Sequence, residues 1–166
     1  MVMYKSHKYT KIMPVSLLST KLHIPSPRQN AVARPRLVQK LLASMEQPGS
    51  FVLLSGPAGF GKTTLLSEFV TEFQMPVAWV SLDRADNDPI QFWTYLTTAL
   101  QLIHPGIGHS ALAMLHSPQP FPEETIPTLL INDIAEIPDA VVIVLDDYHV
   151  IENPGIHAAI ADPSGD

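Results

Sequence analysis

Apolar residues recur along the chain in two alternating rhythms. From Arg34 to Met45 the positions Leu37, Val38, Leu41, Leu42 and Met45 fall on one face at helical spacing, with Pro35 placed for a first helical turn. Pro48-Gly49 stops that helix. Phe51-Val-Leu-Leu-Ser55 is an unbroken apolar run and reads as a strand buried on both faces. Residues 62–73 return to helical spacing through Leu65, Leu66, Phe69, Val70 and Phe73. A second buried strand is predicted over Pro76–Leu82. After it, Asp86, Asn87 or Asp88 caps a helix that starts near Pro89 and carries Phe92, Tyr95, Leu96, Ala99, Leu100 and Ile103 on its apolar face.

Prolines and glycines make residues 104–122 mostly loop, with one short helical piece from Ser110 to Leu115. Thr125–Ile137 reads as helix, and Ala140–Leu145 as a third buried strand ending on Asp146-Asp147. A turn and a short helix follow Asn153-Pro154. Strands alternating with helices predict an α/β chain with a parallel sheet flanked by helices. Residues 1–30, with scattered polar positions and three prolines, read as a leader; residues 31–166 form the domain.

With 166 residues, 46% of them apolar and 16% charged, the chain suits one globular domain rather than a disordered one. It has no cysteine, so thiolate metal sites and cysteine nucleophiles are excluded, and a reducing, cytoplasmic setting is expected. No apolar run approaches the roughly 18 residues of a membrane span. The net charge of −6 is unevenly spread. Eight of the ten basic residues lie in residues 1–40, which hold no Asp or Glu; only Lys62 and Arg84 follow, against all sixteen acids. A body this acidic does not offer a broad DNA-binding face.

The chemistry concentrates in two places. Gly56, Pro57, Ala58, Gly59, Phe60, Gly61, Lys62, Thr63 and Thr64 match G-x-x-x-x-G-K-[ST] without gap. Glycines let such a turn aim successive backbone N–H groups at phosphate oxygens, and the following helix adds its positive end. Lys62 would reach the β- and γ-phosphates and the Thr63 hydroxyl would ligate Mg2+. Chance would produce this match on the order of 1% of the time or less at background frequencies, before its strand-then-helix context is counted. The second place is Val141–Asp147, an apolar strand closing on two carboxylates. Asp146 is expected to hold Mg2+ through its water shell, and Asp147 to orient or deprotonate an attacking water. The expectation is a P-loop NTPase that binds ATP with Mg2+.

Further along, Ser19-Thr-Lys-Leu-His-Ile-Pro25, Val32-Ala-Arg-Pro-Arg-Leu37, Ala78-Trp-Val-Ser-Leu-Asp83, Asp86-Asn-Asp-Pro89 and Leu145-Asp-Asp-Tyr-His-Val-Ile-Glu-Asn-Pro154 join the phosphate-loop motif. In this order they resemble the N-terminal ATPase module of the large ATP-binding LuxR-type regulators, the MalT-like branch of signal-transduction (STAND) P-loop ATPases. The resemblance covers about residues 17–160. It implies a nucleotide switch that governs self-association and transcription, with DNA contacted only by a C-terminal domain absent here. By the same resemblance Arg34 lies near the adenine. It also implies a later strand between the phosphate-loop strand and the acidic strand, so the fold is expected to be incomplete at its C-terminal side.

Two other readings stay open. A small-molecule kinase shares the loop but needs several arginines on an acceptor site or lid, and only Arg84 follows Arg36. A non-catalytic interaction fragment would hold nucleotide, or nothing, without turnover. GTP switches use an Asn-Lys-x-Asp motif that is absent. His104, His109 and His116 lack close metal-ligand spacing, and Asp83, Asp86 and Asp88 read as turn and helix caps rather than a calcium loop. Trp79 and Trp93 read as core, while Tyr148 and His149 lie close enough to the acidic pair to approach a substrate.

Overall fold

A computed structural model describes residues 17–26, 32–45, 52–57, 59–73, 75–122, 124–138 and 140–161. Most of the leader, the Pro48-Gly49 stop, Phe51 and Ala58 lie outside the described residues. The elements in chain order are α1 (Pro35–Ser44), α2 (Lys62–Phe73), β1 (Val77–Ser81), α3 (Pro89–Ile103), α4 (His109–Leu115), α5 (Thr125–Ala135), β2 (Val142–Asp146) and α6 (Pro154–Ala161). Single turns of 3-10 helix lie at Ser19–Leu22, Arg84–Asn87 and Tyr148–Val150.

β1 and β2 pair in parallel, with Val77 opposite Val142, Trp79 opposite Val144 and Ser81 opposite Asp146. Residues alternate between the two faces of a strand, so this register sorts the core into two layers. Val142 and Val144 join Trp79 against Val38 and Leu41 of α1 and Leu65 and Phe69 of α2. On the other face Ala78 and Val80 pack against Phe92, Leu96, Ala99 and Leu100 of α3, with Leu130 of α5 and Ile156 of α6 beyond. The result is a small parallel sheet between helices.

α3 is the best-covered element. Asp88 caps it by accepting from the Gln91 N–H at 2.9 Å, and Pro89 takes the first turn, where no N–H is needed. Trp79 and Trp93 are both core residues, as their spacing suggests. Further on, Gly108 is held by fit: its φ is +70°, and a Cβ there would meet the Thr97 methyl at 2.1 Å.

Two strand expectations need correction. Residues 52–55 form no strand, and Phe51 is not described. Val52 and Leu54 pack against the α1–α2 layer while Leu53 is 68% exposed. The segment keeps a strand's alternation, but no described strand pairs with it, and a ladder needs a partner. β2 is likewise not buried on both faces: Val142, Val144 and Asp146 are covered, whereas Ile143 is 40% exposed. The apolar run correctly located the strand, but its length says nothing about what covers each face.

Candidate functional site

The loop before α2 supplies the site's first wall. Gly59 and Gly61 have φ of +80° and +76°, left-handed values that other residues adopt only at a cost. Nothing lies within 4 Å of where a Cβ of Gly56 or Gly59 would sit, so the inside of the turn is open. α2 starts directly from this turn, with the Leu65 N–H donating to the Gly61 carbonyl at 2.9 Å. Lys62 folds back over the loop: its Nζ donates to the carbonyls of Gly56 (2.8 Å) and Pro57 (3.1 Å). Exposed Arg34 buttresses the loop from outside, Nη1 donating to the Phe60 carbonyl at 2.9 Å.

The second wall is the end of β2. Because Asp146 stands on the same face as Val144, its carboxylate points toward α2, and the Thr63 hydroxyl donates to Oδ1 at 3.1 Å. The Asp147 N–H donates to the same oxygen at 3.1 Å. Thus two motifs 83 residues apart in sequence meet at one carboxylate. Asp146 is buried, and burial pushes its pKa above the ordinary aspartate value; the Thr63 bond pulls it back and the Asp147 charge raises it further. Asp147 turns outward in a left-handed conformation, φ +58°, with its side chain about half exposed.

Between the walls lies a cleft of about 1460 Å3. Ser55, Gly56, Gly59, Gly61, Lys62, Thr63 and Thr64 line it on one side, and Asp146, Asp147, Tyr148 and His149 on the other. Its floor is apolar and includes Leu66, Phe69 and Trp93. Tyr148 and His157 form a partly buried pair, Oη to Nδ1 2.8 Å, and burial raises the tyrosine pKa. Exposed His149 stands 3.7 Å from the Asp147 carboxylate.

The structure therefore brings Gly56, Gly59, Gly61, Lys62, Thr63, Thr64, Asp146 and Asp147 to one cleft, with Pro57 and Phe60 in the same loop. Arg34 reaches the loop backbone but does not line the cleft. Sequence reasoning missed the burial of Lys21, the bonds from Asn87 to Val150–Asn153, and His157 as the partner of Tyr148. Asp83 and Asp86 sit together as a capping box, the Asp83 N–H donating to Asp86 and the Ala85 N–H to Asp83, and both carboxylates also pair with buried Lys21.

No family model matches the chain. Curated relatives do, and they are helix-turn-helix-type transcriptional regulators. The chain is homologous to MalT: it is 35% identical over 144 residues to the MalT regulators of Yersinia enterocolitica and Cronobacter sakazakii, and 34% to that of Yersinia pestis. These alignments cover 87% of this chain and 16% of each relative, so the chain spans about a sixth of their length. The resemblance drawn from the motifs is borne out at the level of this shared stretch.

Proposed function

We propose that this chain binds ATP with Mg2+ as the nucleotide-switch module of a LuxR/MalT-type transcriptional regulator, built on the opening part of a P-loop NTPase fold. The observation that carries the reading is the 3.1 Å bond from Thr63 to Asp146 at the mouth of an open, left-handed glycine loop. A hydroxyl and a carboxylate are the hard oxygen donors Mg2+ takes, directly or through its water shell. The loop's open interior fits a polyphosphate tail, which would exchange the Gly56 and Pro57 carbonyls for phosphate oxygens at Lys62.

In this reading the residues of Gly56–Thr64 hold the triphosphate, Thr63 and Asp146 serve the metal, and Asp147 stands beside the γ-phosphate as a base or water-positioning group. Bound Mg2+ would neutralise phosphate charge. Turnover by this chain is slow or absent. Among the described residues none that lines the cleft is an arginine able to stabilise transferring charge, and a switch needs only different affinities in its two states. Self-association and a cytoplasmic location follow from the same proposal. DNA contact is assigned to other parts of the longer regulator, because residues 41–166 are strongly acidic. Among the described residues no helix is long and apolar enough to cross a membrane.

Calorimetric titration with ATP, with and without Mg2+, tests the proposal. Saturable one-site binding that tightens with Mg2+, and that falls about 100-fold in Lys62→Ala, is expected for a charge-assisted phosphate contact worth roughly 2–3 kcal/mol. Equal binding by Lys62→Ala would overturn it.

A further inference from the structure

A buried charge cluster lies on the other side of β1 from the cleft loop. Lys21, in the single turn at Ser19–Leu22, is 8% exposed and places Nζ 2.6 Å from Asp86 and 2.8 Å from Asp83. It also sits 4.7 Å over the ring of Tyr95, whose hydroxyl accepts from the Leu18 N–H at 3.1 Å. Asp86 is fully buried and accepts in addition from the Asp83 N–H (2.7 Å) and the Gln91 side chain (3.0 Å). The bonds to Asp83 and Asp86 fix the turn at Arg84–Asn87, and the Leu18–Tyr95 bond ties the N-terminal segment to α3.

The last residue of that turn reaches the other motif. The Asn87 amide donates to the Val150 carbonyl at 2.8 Å, and its side-chain oxygen accepts from the N–H groups of Glu152 (2.6 Å) and Asn153 (3.1 Å). Asn153 returns a bond to the Asn87 carbonyl at 3.2 Å. Val150 in turn donates to the Asp147 carbonyl, closing a single turn that starts at the acidic pair. One side chain therefore holds three backbone groups just beyond Asp147.

We infer that Lys21, through Asp86 and Asn87, is a positioning residue for the acidic turn, so that the N-terminal segment at residues 17–22 sets how Asp146 and Asp147 are presented to the cleft. A buried lysine between two aspartates is a costly way to glue a segment down, since apolar side chains of similar volume do so at least as well. What the ionic contact adds is register: it is satisfied in one geometry only, and Asn87 transmits that geometry to Val150–Asn153. The effect on the metal rests on the ATP–Mg2+ reading above; the mechanical link does not.

Hydrogen exchange on the intact chain tests the link directly. Lys21→Met should speed exchange across residues 17–22 and Val150–Asn153 about tenfold more than it speeds exchange across α4. Tyr95→Phe, which removes only the bond to Leu18, should give a smaller rise of roughly threefold at residues 17–22 and at Val150–Asn153, and remains informative if Lys21→Met does not fold. Faster exchange at residues 17–22 with no change at 150–153, in whichever of the two variants folds, overturns the inference. The second arm uses Asn87→Asp, which keeps the acceptor for Glu152 and Asn153 but loses the donor to Val150. It should weaken ATP binding about fivefold with Mg2+ present and leave Mg2+-free binding unchanged. Equal loss in both conditions, or none, refutes the positioning role. A wild-type chain that binds no ATP would sink the nucleotide reading, and the exchange experiment would still decide the link.

Discussion

The two strands of the sheet each lead into an aspartate paired with a neighbouring element, yet the two places are built on opposite terms. Just beyond β1, Lys21 meets Asp83 and Asp86 at direct ion-pair distance. At the end of β2, Lys62 turns to loop carbonyls instead of a carboxylate, and both bonds to Asp146 fall on one oxygen. The titration behaviour separates them as well. The Lys21 hydrogen bond leads in pulling the Asp83 pKa down, whereas burial leads in pushing that of Asp146 up. A finished ion cluster stabilises its charges; an open one holds a charge in a poor environment until something else arrives. The first kind of site specifies structure, and the second is where a ligand gains from binding.

Breaking the finished cluster should therefore damage the fold far more than breaking the open one. Lys21→Met strands a fully buried carboxylate at Asp86, and about 3 kcal/mol of unfolding free energy should go with it. Burial on its own would lower the Lys21 pKa, but the bonds to Asp83 and Asp86 outweigh it and hold the value above the ordinary lysine one. That stabilisation is present at neutral pH and is lost as pH climbs through the raised lysine value. Chemical denaturation of the wild type and of Lys21→Met, alongside the Lys62→Ala protein made for titration, measures the contrast. Lys62 is half-buried and bonded only to carbonyls, so its removal should cost under about 1 kcal/mol. Comparable losses in the two variants would erase the distinction drawn here.

Much of this was legible in the sequence, and the reason differs by element. α2, α3 and β1 declared themselves because an apolar face or run is a local property, and Gly59 and Gly61 because the loop's backbone demands them. The meeting of Thr63 with Asp146 was also legible, since the motif's chemistry requires a hydroxyl and a carboxylate together. Strand pairing was not. Residues 52–55 carry the right side chains for a strand, but a ladder is made with a partner elsewhere in the chain. Nor was the burial of Lys21 readable: it stands in the run Ser19–Pro25 as one of eight basic residues among the first forty, and only the fold shows that it is buried while Thr20 beside it is exposed. The caps at Asp83 and Asp88 were anticipated; the use of Asp86 as the lysine's partner was not.

Asp146→Asn should act on stability with the opposite sign from Lys21→Met. Because its pKa is raised in the folded chain, the native state binds a proton more tightly than the unfolded state does. Stability contributed by this group is therefore greatest at low pH and declines as pH rises from the ordinary aspartate value through the raised one. Removing the charge should flatten that part of the pH profile. Without Mg2+ it should also raise the melting temperature at pH 7 by roughly 2–4 °C, which corresponds to about 1 kcal/mol for a chain of this size. The same substitution should remove the enhancement of ATP binding by Mg2+. A stabilised protein that has lost its metal dependence marks the carboxylate as held for a ligand; a destabilised one marks it as structural, like Asp86.

The smallest effect is expected at Arg34, and it decides what that residue does. Its exposed side chain makes one hydrogen bond among the described residues, to the Phe60 carbonyl, so Arg34→Ala should weaken ATP binding only about two- to threefold. The informative comparison is between ATP and inorganic tripolyphosphate. If Arg34 works by holding the loop in shape, both ligands share the loop and lose equally. If instead the side chain leaves Phe60 to contact the base, ATP alone weakens and tripolyphosphate binds as to the wild type. The present geometry favours the first outcome, because the guanidinium is already committed to the loop backbone on the outer side, donating to the Phe60 carbonyl at 2.9 Å.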